Sequence, residues 1–253
     1  MNLRKLIAKG NTADIYDIGD QRVVKLFKPH FPGVEAEKEA KKQRFAKKCG
    51  LDVPKIFDVT VINNSQAIVM EYMDAIPLGE YISCKTKTIE EVLTICVKVQ
   101  QCIHQIAVED YSIESMHEKL EYQITNNTVL TETQKKDLLK ELNKMDYTAY
   151  LCHGDFHPFN VLMGEKTDET IIIDWVDASA GDICADVYRS YLLLSGSDQA
   201  LADLYVNLYC STSYITKDDI FQWAPIIAGA RLFELVPSES KQRLINIVNE
   251  LYR

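Results

Sequence analysis

The rhythm of apolar and polar positions changes once along the 253 residues. As far as residue 73 the chain offers short β-rich runs with a single helix; beyond it, apolar positions recur at helical spacing. Asp14–Ile18 and Arg22–Lys28 read as strands around Gly19-Asp20, a two-residue hairpin signal. The stretch PHFPG, residues 29–33, breaks that pattern. Val34–Cys49, rich in Glu, Lys and Ala without an internal Gly or Pro, predicts a helix stopped by Gly50. Lys55–Ile62 and Gln66–Tyr72 predict two further strands, separated by Asn63-Asn64-Ser65.

After MDAIPLG, residues 73–79, helices are predicted over 88–108, 114–125 and 131–145, the last capped by Thr131. LCHGDFHPFNVLM, residues 151–163, and a short hairpin interrupt them. Helical patterns resume through 184–194, 198–210, 217–234 and 238–252. There are no repeats and no low-complexity tract. The expected fold class is α+β, with a β-rich N-terminal lobe over 1–73 and a larger, mainly helical C-terminal lobe over 74–253.

Composition narrows the classes. At 47% hydrophobic and 26% charged, the chain can bury one large core or two smaller ones. No apolar run approaches the ~18 residues of a membrane span, and MNLRKLIAKGN lacks the apolar segment of a signal peptide. Seven scattered cysteines without a C-x-x-C pair suit reduced thiols in a cytoplasmic protein better than disulfides or structural zinc. A net charge of -9 argues against nucleic acid as a partner. It would suit a cationic substrate, although ordinary solubility charge explains it more simply.

Candidate chemistry centres on the quoted loop. Val161–Met163 and Thr170–Ile173 flank the turn-rich GEKTDE and, paired as an antiparallel hairpin, put Asn160 and Asp174 at one end. An amide oxygen and a carboxylate make a hard-oxygen site with few protein ligands, which suits magnesium carrying waters and phosphate oxygens. Asp155 lies five residues before Asn160, in a loop that Gly154 and Pro158 keep from becoming helix. It would be free to accept a proton from an attacking hydroxyl. The spacing H-x-D-x4-N followed by a strand-terminal Asp is the catalytic arrangement of kinases.

A kinase also needs a lysine on an N-terminal strand. In RVVKLFK, Lys25 shares a strand face with Val23 and Phe27, so its charge needs a partner. Glu39 on the predicted helix is the choice, with Glu37 as the alternative.

These segments resemble the aminoglycoside phosphotransferase and choline kinase superfamily, the small-molecule branch of the protein-kinase-like fold. The likeness runs from AKGNTADIYDIGDQRVVKLF through VEAEKEAKKQ, LDVPKIFDV and IVMEYMDAIPL to CHGDFHPFNVLM and IIIDWVDASAGDICADVYRS. Eukaryotic-type protein kinases fit less well: Gly154 stands where their loop has arginine, and Asp174-Trp175-Val176 replaces Asp-Phe-Gly. The resemblance implies a two-lobed kinase-like fold with Asp155 as catalytic base and Asn160 and Asp174 as magnesium ligands. It makes Lys25 the phosphate-binding lysine and Glu39 its ion-pair partner. Glu71 and Met73 would bind adenine through backbone groups, and Gly10, Asn11 and Thr12 would cover the phosphates with one glycine instead of three. His153 and Asp186 would support the loop.

The implied reaction moves the γ-phosphoryl group of ATP or GTP to a hydroxyl of a small molecule. An aminoglycoside ranks first as acceptor, ahead of choline, ethanolamine, homoserine and other metabolites. Asp177 and Glu234 are the acidic residues assigned to a cationic acceptor. Two other classes compete: a nucleotide-binding pseudokinase, and a zinc hydrolase built on HGDFH with His157 as ligand. The second lacks a further His or Cys cluster to complete its site. Trp175 and Trp223 read as core aromatics.

Overall fold

The computed structural model describes residues 3–29, 33–109, 112–164, 167–237 and 239–252. Residues 30–32 of the PHFPG break and 165–166 of the hairpin turn lie outside them. The chain begins with β1 (Lys5–Lys9), β2 (Ala13–Gly19), β3 (Arg22–Phe27), α1 (Glu35–Lys48), β4 (Ile56–Ile62) and β5 (Ser65–Glu71). Next come β6 (Ala75–Pro77), α2 (Leu78–Ser83), α3 (Ile89–Ile103), α4 (Met116–Thr125) and α5 (Glu132–Leu142). Three short strands follow, β7 (Tyr150–Cys152), β8 (Val161–Gly164) and β9 (Thr170–Ile172), then β10 (Ser179–Gly181). The chain continues through α6 (Ile183–Ser195), α7 (Gln199–Ser211), α8 (Lys217–Phe221), α9 (Ala224–Arg231) and α10 (Lys241–Val248). The fold is α+β, with its main sheet N-terminal and its helices C-terminal.

Two compact units emerge, one of Met1–Thr86 with Pro158–Asp177 and one of Lys87–His157 with Ala178–Arg253. The expected boundary at residue 73 falls inside the first unit, which also takes in the 158–177 hairpin. Strand pairing is the reason: Ile76 of β6 lies opposite Met163 of β8, and Ile172 N–H donates to the Asp52 carbonyl at 2.8 Å.

In the first unit the sheet runs β1-β2-β3-β5-β4, each neighbour antiparallel. Its β2–β3 turn is Asp20-Gln21, one residue later than the sequence suggests. Both have positive φ (53° and 55°), the geometry whose twist suits a two-residue hairpin. The shift arises because Gly19 sits in a register irregularity and pairs with Arg22, its N–H held by Asp17 Oδ1 at 2.7 Å. Asn63-Asn64 repeats this turn at φ 50° and 62°. The buried face of α1 combines Ala36, Ala40 and Ala46 with the polar Glu39, Lys42 and Gln43. Gln66 holds the helix start by accepting from Ala36 N–H, and Gly50 at φ 90° ends it. There Gly50 N–H donates to Lys47 and Leu51 N–H to Ala46, the paired bonds of a Schellman stop.

In the second unit, reciprocal side-chain and backbone bonds cap α3 (Thr88 with Glu91), α5 (Thr131 with Gln134) and α8 (Thr216 with Asp219). The core gathers Leu138, Tyr205, Tyr209, Trp223 and Ala228. The helix expected over 88–108 stops at Ile103, because the chain beyond turns to pair with β7: Leu151 N–H donates to Ile106 and Val108 N–H to Ala149. The helix expected over 217–234 breaks at Gln222-Trp223. Pro225, in the first turn of α9, cannot donate to a preceding turn, so a new helix begins there. Trp223 is buried with its indole N–H on Asp182 Oδ2 at 3.2 Å. Among the described residues no helix is long and apolar enough to cross a membrane.

Candidate active site

Strand β3 delivers Lys25 to the face it shares with Val23 and Phe27, all three buried. Its ammonium donates to Glu39 Oε1 at 2.7 Å and to Asp174 Oδ1 at 2.9 Å. Glu39 is buried on α1 whereas Glu37 is exposed, so the helix phase selects the former. Burial works to lower the Lys25 pKa, but the charges of Glu39 and Asp174 and their hydrogen bonds outweigh it and hold it above the ordinary lysine value. One ammonium thus faces two carboxylates. The buried second oxygen of Glu39 has no hydrogen-bond partner among the described residues. The surplus of negative charge makes this corner receptive to a further cation.

Asp174 reaches Lys25 through a constrained backbone. In the hairpin, Val161 lies opposite Ile172, and Ile173 N–H donates to the Asn160 carbonyl at 3.0 Å. This register puts Asn160 and Asp174 at the same end. Asp174 has φ 64°, a left-handed conformation costly for a residue with a side chain. Its neighbours pin it there. The fully buried Trp175 donates its indole N–H to the Ile172 carbonyl at 3.3 Å, and Lys42 Nζ donates to the Val176 carbonyl at 2.7 Å. About a third of the Asp174 side chain stays accessible, 34%.

The HGDFH loop, within the second unit, leaves β7 after Cys152. His153 is fully buried, and Gly154 takes φ 80°, where a side chain would be strained. Asp186 on α6 holds both residues by their backbones, accepting from Gly154 N–H at 2.7 Å and from His153 N–H at 3.3 Å. It also accepts from Gln100 at 3.0 Å and lies 2.9 Å from His104 Nε2. Burial works to raise the Asp186 carboxyl, but the bond to His104, its charge, Gln100 and Gly154 N–H bring it down to about 2. His104, Cys152 and Asp186 cluster tightly enough to suggest metal ligands. Their atoms are committed to hydrogen bonds, however: His104 Nδ1 to Tyr209 at 2.7 Å and Cys152 Sγ to the Asp182 carbonyl. The cluster is the hub of the loop.

Asp155 follows with its N–H on His153 Nδ1 at 3.3 Å, and His157 Nε2 lies 3.6 Å from its carboxylate. Burial would raise its pKa, yet the hydrogen bond to His157 and the charges of Arg189, His157 and His153 hold it well below the usual carboxylate range. Arg189, outside every motif of the loop, donates Nε–H to the Gly154 carbonyl at 3.0 Å and Nη2–H to Glu234 at 3.1 Å. One signal was available: Asp186 and Arg189 sit three apart in a helix otherwise mostly apolar.

The remaining candidates are more scattered. Gly10 makes a tight turn, its N–H on the Ala13 carbonyl at 2.9 Å, where an added Cβ would lie 2.8 Å from that oxygen. Asn11 is exposed and Thr12 half-buried, with the Thr12 carbonyl accepting from Lys28 N–H. Glu71 and Met73 are half-buried at and just past the end of β5, and between them Tyr72 N–H is taken by the Gln21 carbonyl. Asp177 is half-buried in the first unit and adds its charge to the field at Glu39. Glu234 is committed to Arg189 and Arg231.

A model of the phosphotransferase enzyme family matches residues 4–224. Among solved structures, the fold is similar to a choline kinase of Streptococcus pneumoniae, at 17% identity and a TM-score of 0.66, over 99% of this chain and 94% of that one. It is also similar to an aminoglycoside-3'-phosphotransferase of type VIII, at 18% identity and a TM-score of 0.61, over 91% of this chain and 90% of that one. A third similar structure is a GDP and kanamycin complex of an aminoglycoside phosphotransferase, at 13% identity and a TM-score of 0.61, over 100% of this chain and 93% of that one. No curated protein sequence matches. With the family model spanning most of the chain, this protein belongs to the phosphotransferase enzyme family.

Proposed function

We propose that this phosphotransferase moves the γ-phosphoryl group of ATP, or of GTP, to a hydroxyl of a small amine-bearing molecule, an aminoglycoside-like acceptor first. The observation that carries the reading is the buried Lys25 ion-paired to both Glu39 and Asp174. An ammonium held by two carboxylates can exchange one of them for phosphate oxygens. Asp174 and Asn160 would hold magnesium; hard-oxygen donors and surplus negative charge both suit it. Bound there, the ion would neutralise phosphate charge. Glu71 and Met73 would contact the base through backbone groups, and the Gly10–Thr12 turn the phosphates.

Asp155 would orient the acceptor hydroxyl and take its proton as the oxygen attacks phosphorus. A carboxylate with so low a pKa is a weak base. It serves because phosphoryl transfer needs little proton abstraction before the bond to the leaving group loosens. Choline, ethanolamine and homoserine rank after aminoglycosides. Of the two acidic residues assigned to a cationic acceptor, Glu234 already faces two arginines, which weakens its part in that role.

The test is a coupled assay of nucleoside diphosphate release across amino-sugars, choline, ethanolamine, homoserine and nucleosides, with ATP and with GTP. Magnesium-dependent turnover with an amine-bearing alcohol, lost in Asp155→Ala, supports the proposal. Tight Mg-nucleotide binding without release for any acceptor would instead favour a regulatory pseudokinase.

A further inference from the structure

Helix α6 touches the HGDFH loop twice, with opposite polarity. Asp186 accepts from the N–H groups of His153 and Gly154, while Arg189, one turn further on, donates to the Gly154 carbonyl at 3.0 Å. That carbonyl belongs to the peptide bond whose nitrogen is Asp155. With the Asp155 N–H on His153 Nδ1, the peptide plane carrying Asp155 is gripped on both edges. The guanidinium suits this task because it is planar and presents donors in a fixed fork. One arm goes to the carbonyl and another to Glu234 Oε2 at 3.1 Å. Glu234 in turn accepts from Arg231, whose Nε–H goes to Glu239. Arg189 is only 7% exposed, so protein partners and not solvent set its orientation.

We propose that Arg189 is a positioning residue for Asp155, oriented by Glu234, so that Arg231, which holds Glu234 and is itself held by Glu239, helps fix the angle at which the Asp155 carboxylate is presented. The proposal rests on the reading of Asp155 as the base. Sequence comparison of loops alone would miss it: the HGD loop has glycine where protein kinases carry arginine, and here a helix supplies a guanidinium to the glycine's own carbonyl.

The test compares steady-state kinetics of Arg189→Met, Arg189→Lys and Glu234→Gln with the parent, using whichever acceptor the release assay identifies. Folded fraction is matched by thermal unfolding. In Arg189→Met, kcat should fall about 10- to 100-fold, the range of a small misplacement of a reacting group, while both KM values stay within about twofold. Arg189→Lys keeps the charge without the planar fork and should give an intermediate kcat. The Arg189→Met/Glu234→Gln double variant should be no slower than Arg189→Met alone, because both lie on one relay. Unchanged kcat in folded Arg189→Met overturns the proposal, as does a loss that merely follows the unfolded fraction or a matching rise in nucleotide KM. Should Arg189→Met not fold, Arg189→Lys decides: lower kcat at constant KM supports the relay, and the parent's kcat refutes it. Asp155→Ala separates the two readings. If it retains turnover, the base assignment fails; if it is inactive while Arg189→Met is fully active, only the relay fails.

Discussion

Replacing Lys25 by methionine keeps the bulk of the side chain and removes its charge, leaving Glu39 buried with no cation beside it. Opposite charges 2.7 Å apart attract by roughly 6 kcal/mol at an effective dielectric of ~20, before desolvation is subtracted. Breaking such a buried pair from one side costs about 3–5 kcal/mol. The cost has a ceiling, because Glu39 can take up a proton. Protonating a carboxyl of ordinary pKa near 4.3 at pH 7 requires about 3.7 kcal/mol, and at pH 5 only about 1 kcal/mol. Asp174, a third exposed, relaxes into water and adds little. Burial already holds the Glu39 carboxyl above its ordinary value despite the charge of Lys25, and without that charge it rises further, so the variant recovers stability relative to the parent as pH falls. Urea unfolding of both proteins at pH 5 and pH 7 should therefore show a deficit near 3–4 kcal/mol at pH 7 that shrinks to about 1 kcal/mol at pH 5. Adding Glu39→Gln should restore most of the loss at pH 7. A deficit that is equal at the two pH values, or below about 1 kcal/mol at pH 7, would refute the picture of Glu39 as a charge held by Lys25.

Three further outcomes follow from the same geometry. Asp155→Ala should lose turnover entirely while nucleotide affinity, read by calorimetry, changes less than about threefold; phosphoryl transfer near the parent rate would sink its role as base. Asp174→Ala should abolish the gain in nucleotide affinity that magnesium confers, and a magnesium dependence identical to the parent's would remove Asp174 from the ligand set. Asp186, held down to about 2 from an unfolded value near 3.9, should contribute roughly 2–3 kcal/mol, fully present above pH 4 and lost as pH falls through 2. Asp186→Asn should thus be destabilised by about that much in urea at pH 6 and by much less near pH 2.5, and a deficit independent of pH would contradict the assignment.

The parts legible in the sequence were those written locally. Thr131 caps its helix as expected, Gln134 completing the reciprocal bond, and the Val23–Lys25–Phe27 face of β3 is visible from alternation alone. The choice between Glu37 and Glu39 was open because the inner face of α1 mixes alanines with Glu39, Lys42 and Gln43, which blurs any apolar stripe. Each of those polar groups is matched by a distant partner: Lys25, the Val176 carbonyl and the Pro54 carbonyl. Strand β1 is not legible in the sequence, because KLIAK is exposed along its whole length and carries no buried face to impose a period. The Arg189 contact is beyond local reading, since 35 residues separate it from Gly154. The same holds for His104, which falls inside the helix expected over 88–108 and whose bond to Asp186 spans 82 residues.

The return of residues 158–177 to the first unit has a consequence for how the protein is made. On a ribosome the five-stranded sheet and α1 emerge early, and Lys25 can meet Glu39 after 14 further residues. Asp174 arrives only after 149, with β6 until then lacking β8 as its neighbour. The nascent first unit therefore carries β6 without its neighbour and a half-assembled charge cluster throughout synthesis of α3, α4 and α5, a window in which a chaperone or a mispaired strand can reach it. A fragment ending at Thr86 would stay in that condition, whereas one completed with a separate 158–177 peptide would regain strands β8 and β9 and the Asp174 carboxylate.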